Sequence, residues 1–146
     1  MAKRDIAIGI EMGGLKQFER AVDRFEEKFI NAVKRVVVET AELIQSQAQA
    51  LAPVDDGNLK QSIEIRYFNR GLSAEIIVGA EYGIYVEYGT GIYALEGNGR
   101  KTPWVYWSEK LGRYVYTKGM KAQPYWTPAI ELGSKHFERE LNKLGA

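Results

Sequence analysis

The chain contains no cysteine, which excludes disulfides, thiolate nucleophiles and sulfur metal sites together and fits a reducing compartment. It has one histidine, His136, so no histidine pair is present to hold a metal. Gly-rich nucleophile elbows and phosphate loops are also missing, and with them the usual starting points for an enzyme. No long apolar run follows the basic start Met1-Ala-Lys-Arg-Asp5, so neither a signal peptide nor a transmembrane span is expected. The sequence points to a soluble protein made in the cytoplasm, with no cofactor and no catalytic residue. Charge of one sign is lacking too: 20 Lys and Arg against 19 Asp and Glu leave a net +1. Affinity for nucleic acid or an acidic membrane would therefore have to come from local clustering. At 146 residues the expectation is one domain, 1–146, with 1–13 as a flexible N-terminal arm.

What is present begins with a long amphipathic pattern. From Leu15 the residues Phe18, Val22, Phe25, Phe29, Val33, Val36, Thr40, Leu43 or Ile44, Ala48 and Leu51 recur in steps of three and four. Opposite them lie Lys16, Glu19, Arg20, Asp23, Glu26, Glu27, Lys34 and Glu42, a solvated face of mixed sign. One helix of this extent would be about 50 Å long, more than a globule of radius about 15 Å can cover. Part of it should protrude or meet another subunit, unless it kinks near Asn31.

Pro53 ends that pattern. Between Ala52 and Ile63 the chemistry is that of turns, with Asp55, Asp56 and Asn58 able to bond their own backbone and Gly57 as a permissive hinge. The adjacent carboxylates are too few for a divalent ion without further ligands. Ile63, Ile65 and Tyr67 then alternate with Glu64 and Arg66, and Ala74, Ile76 and Val78 resume the alternation after Asn69-Arg70-Gly71, which predicts an antiparallel hairpin.

Tyr82-Gly-Ile-Tyr-Val-Glu-Tyr-Gly-Thr-Gly91 places one acid, Glu87, among Tyr82, Tyr85 and Tyr88. Periodicity leaves helix and strand both open, although Gly89-Thr90-Gly91 leans towards a helix stop. A buried Glu87 needs hydrogen bonds from tyrosine hydroxyls or backbone N–H groups, either as a structural core acid or as part of an interface.

Residues 91–121 read as an insert. Gly97-Asn-Gly-Arg-Lys101 is a flexible loop, and Thr102–Trp107 with Arg113–Thr117 form two short aromatic strands. From Asn98 to Lys121, Arg100, Lys101, Lys110, Arg113, Lys118 and Lys121 stand against Glu109 alone, interleaved with Trp104, Tyr106, Trp107, Tyr114 and Tyr116. Such a surface could dock a protein, stack single-stranded nucleic acid, or simply be a solvated hairpin. Thr127 as N-cap, Pro128 at the first helical position and Glu131 near the positive dipole end open a terminal helix. Its apolar stripe is Ile130, Gly133, Phe137, Leu141 and Leu144, with His136 at the rim. The fold class expected is α+β, with a long N-terminal helix and a C-terminal helix packed on a small antiparallel sheet and the aromatic hairpin inserted.

Three blocks in this order, Ala52–Ile63, Tyr82–Thr90 and Ala122–Ala129, resemble the tail-completion or head-tail joining proteins of long-tailed phages, the gene-product-ten-like family of phage HK-97. Asp56 and Lys60 depart from the family pattern, which has Thr and Arg there. The resemblance implies a structural virion protein of a phage or prophage, found in the neck or tail after assembly in the host cytoplasm. It implies an oligomeric ring between head connector and tail tube. Tyr82, Tyr85, Glu87, Tyr88, Gly89, Thr90, Asp55 and Gly57 are then the candidate assembly residues. Composition alone adds Arg100, Lys101, Trp104, Tyr106, Trp107, Arg113, Tyr114 and Tyr116 as candidates for docking a partner. A nucleic-acid-binding module using residues 100–121 is the competing class, with at most weak and non-specific binding.

Overall fold

A computed structural model describes residues 15–54 and 57–145 of the chain. The expected arm at 1–13 and the carboxylates of Asp55 and Asp56 lie outside the described residues. The long pattern is one unbroken helix, α1 (Leu15–Leu51), so the kink near Asn31 does not occur. Its 37 residues span ~55 Å at 1.5 Å each. Burial on α1 begins only at Val36 and continues through Val37, Thr40, Ala41, Ile44 and Ala48. The half before Val36 has no buried side chain among those described, and Phe25 is 71% exposed although it belongs to the apolar stripe.

After Pro53 and Gly57 (φ +77°) comes a single helical turn, α2 (Asn58–Gln61), where the sequence showed only turn chemistry. It points Leu59 into the core. Strands β1 (Ile63–Phe68) and β2 (Ser73–Val78) pair antiparallel, with Ile65 opposite Ile76 and Tyr67 opposite Ala74, the alternation anticipated from sequence. The pair packs on α1 through Ile63, Ile76 and Val78. Gln45 reinforces the seam by donating its side-chain N–H to the Ile63 carbonyl at 2.9 Å.

The tyrosine segment is a helix, α3 (Gly83–Tyr88), stopped at Gly89 with φ +78°. Strands β3 (Trp104–Ser108) and β4 (Arg113–Thr117) form a second antiparallel pair, with Trp104 opposite Thr117. The two pairs are separate sheets of two strands each; α1 and α2 pack on the first, the second stands apart, and the C-terminal helix packs on α1 and not, as expected, on the sheet. The last element, α4 (Trp126–Gly145), lies along the inner half of α1. Contact between them is close at Gly133, where a methyl group would collide with the Ile44 side chain. His136 sits beside this seam with its Nε2 3.8 Å from Glu39 of α1.

The candidate assembly site and the projecting hairpin

One core cluster collects residues from all three blocks singled out in the sequence: Leu59 and Ile63 from the first, Val86 from the second, Tyr125 and Ala129 from the third. Ala52 of the first block and Ile44 and Ala48 of α1 complete it. Glu87 stands at its edge, 4% exposed. One carboxylate oxygen accepts from the Tyr125 and Trp126 N–H groups, each at 2.8 Å, and the other accepts from Thr127 N–H at 2.9 Å. These are N–H groups that the first turn of a helix cannot satisfy internally, so Glu87 caps α4 from about forty residues away. The cap expected at Thr127 is therefore displaced: α4 starts at Trp126, and the acceptor is Glu87 of α3. Burial pushes the Glu87 carboxyl up, but hydrogen bonds from the Thr127 hydroxyl and the three backbone N–H groups outweigh it. The group is held below the usual carboxylate range.

The tyrosines expected around Glu87 do not surround it. On a helix the buried set Gly83, Val86 and Glu87 follows i, i+3, i+4, which turns Tyr82, Tyr85 and Tyr88 outward at 38–57% exposure. The tyrosine that does belong to the site is Tyr125. Its hydroxyl donates to the Gly83 carbonyl at 3.0 Å, and burial with the nearby Glu87 charge pushes its pKa up to about 12. It lies within a block the sequence had marked. Its role could not be read there because its partners are 38 and more residues away.

Gly89 and Thr90 close the site on its other side. The Thr90 N–H donates to the Met120 carbonyl at 2.9 Å, and its hydroxyl accepts from Met120 N–H at 2.8 Å. Ile92 N–H donates to the Lys118 carbonyl at 3.1 Å, so the insert leaves and returns through a backbone-paired stem. Gly91 (φ +63°) sits so close to Lys118 that a methyl group would strike the carbonyl oxygen.

Beyond the stem the candidate docking residues fall together on one projection. Tyr106 and Trp107 are about half exposed, Tyr114 and Tyr116 about two-thirds, so both faces of β3–β4 meet solvent. Trp107 and Tyr114 pack edge to face across the strands, with ring centroids 5.1 Å apart. The Arg100 guanidinium lies 5.5 Å from the centre of the Trp104 ring, and the Lys101 ammonium donates to the Gly97 carbonyl at 3.0 Å. Arg113 closes the register opposite Ser108. Between the hairpin base and α3 runs a groove of about 750 Å³, lined by Ile84, Tyr85, Tyr88, Arg100 and Trp104 among others. Ile84, Ile92 and Leu95 are exposed as well, 48–66%, and nothing in the local sequence pattern marks them.

A family model for HK97-gp10-like bacteriophage tail components matches residues 16–89, half of the chain. The chain belongs to this family. The match ends at the stop of α3, so the HK97-gp10-like part contains Glu87 but not the N–H groups it caps. The hairpin and α4 lie outside the matched range. No curated protein and no solved structure matches the chain significantly. Among the described residues no helix is long and apolar enough to cross a membrane, and no cluster of three or more histidines or carboxylates is placed to hold a metal ion.

Proposed function

We propose that this tail component completes or joins the tail to the head connector as an oligomeric ring in the phage neck, and that β3–β4 is its docking surface. The carrying observation is the contrast between the stem and what it holds. Residues 90–92 and 118–120 are bonded to each other through the backbone, whereas the strands beyond them expose aromatic rings on both faces. Such rings in water are uncompensated until a partner covers them, and Trp, Tyr and Arg are the residues that anchor protein interfaces. The surrounding cations would steer the encounter towards an acidic partner.

The test is replacement of residues 102–117 by a short Gly-Ser link in a phage lacking the gene. The expected result is unjoined heads and tails from a chain that still folds. Infectious particles from the deleted chain would overturn the docking assignment.

A further inference from the structure

The tyrosines that α3 turns outward belong to a surface separate from the hairpin strands. Tyr85 stands between two grooves. It shares the one of about 750 Å³ with Ile84 and Tyr88, and a second of about 490 Å³ with Tyr82 and Val54. Leu95 is held beside Tyr88, donating its N–H to the Tyr88 carbonyl at 2.9 Å. These six side chains are 38–73% exposed. Tyrosine and aliphatic groups at that exposure leave on the order of 600 Å² of mostly apolar surface in water, the share that one partner contributes to the smaller specific interfaces.

Charge and shape say what covers it. Between Tyr82 and Leu95 the only charged side chain is Glu87, which is 4% exposed and turned inward. Protein interfaces are depleted of charge and enriched in aromatic rings at their centres in the same way. Both signs return at the margin, with Glu81 and Glu96 at the ends of the segment and Arg100 across the larger groove. The hairpin, with its excess of cations, suits an acidic partner, whereas this margin neither selects an unlike partner nor repels a like one. The face also holds its own complement, a ridge at Tyr85 with a recess on either side. A second copy rotated by half a turn can therefore set each ridge in the other's groove. We propose that the α3 face packs on the same face of a second copy of this chain as a twofold pair. Such a contact closes on itself, so it describes the free chain and is not the ring contact of the neck. It goes beyond the neck role and does not rest on it.

Sedimentation equilibrium of the full chain tests it. The expected result is a reversible dimer that persists when salt is raised to about 1 M, because a contact with no charge at its centre is not screened. Tyr85→Asp places a charge at the centre of the face and should weaken the dimer about tenfold or more, while Tyr114→Asp on the hairpin leaves it unchanged. If Tyr85→Asp lowers the melting midpoint, Ile84→Asp, at a position 60% exposed, takes its place. A chain that stays monomeric at its highest soluble concentration overturns the proposal. So does a dimer dissolved by salt, or one weakened by Tyr114→Asp and not by the α3 variants. A monomeric chain whose joining of heads to tails is blocked by Tyr85→Asp would assign the face to a neck neighbour instead. If the dimer forms as expected but the chain joins nothing in its phage, the neck role fails alone.

Discussion

Glu87 does the work of a helix cap at a distance, and its ionisation is therefore coupled to folding. Its folded-state pKa is depressed, so its contribution is fully present above the unfolded carboxylate value of about 4.3 and is lost as pH falls through the lower folded value. Glu87→Gln keeps the shape but turns an N–H donor towards N–H donors, and should cost about 1–3 kcal/mol at neutral pH. Urea titrations from neutral to acid pH should show this gap narrowing as pH drops. A gap of constant size would mean that the charge is not what Glu87 contributes. Gly133 is a steric case. Gly133→Ala should destabilise by about 1–3 kcal/mol through the collision with Ile44, and Ile44→Ala in the same chain should recover part of that loss. Additive losses in the double variant would show that α1 and α4 do not meet at this point.

Elements divide into those that bury a face and those that carry one outward. Half of α1 packs on α4 and β1–β2 while the other half extends beyond them, because the core supplied by the remaining elements reaches only as far as Val36. The insert divides similarly. Its stem belongs to the core region through Thr90, Lys118 and Met120, and its strands do not. Trp104 and Thr117 are already neighbours, so a short link across them adds little closure entropy. Removal of 102–117 is predicted to leave the melting midpoint close to that of the parent by circular dichroism. Removal extended through Lys121 should lower it clearly, since Thr90 then loses its partners. Equal melting of both deletions would place the core boundary elsewhere.

At the scale of the whole molecule a net charge of +1 gives no general attraction to nucleic acid, and the basic residues of the insert are set around exposed rings. If all six cations from Arg100 to Lys121 contacted single-stranded phosphates, binding would weaken with salt at a log–log slope of roughly −4 to −5. Filter binding across a salt series is expected to show weak association that vanishes near physiological ionic strength. Tight sequence-specific binding there would place the nucleic-acid role ahead of the docking one.

The sequence by itself determined the elements whose signal is local. The three- and four-residue steps of α1 gave its start and end, the alternation from Ile63 to Val78 gave the first hairpin and its inward Ile63 but not the exposure of Tyr67, and the aromatic strands either side of Glu109–Gly112 gave the second. Length against volume left protrusion of α1 and a kink near Asn31 both open, and the unbroken helix decided between them. What only the tertiary structure decided was each matter in which the partner is remote. Six residues from Gly83 to Tyr88 satisfy both periods, so α3 was settled by packing Val86 and Gly83 against Tyr125 and Leu59. That choice turned three tyrosines outward and Glu87 inward. The cap of α4 was equally hidden, because Thr127 and Pro128 carry a local start signal whereas the acceptor that satisfies it comes from another element. Local periodicity records which side of an element is apolar; only the folded chain brings a buried charge to the N–H groups that make its burial possible.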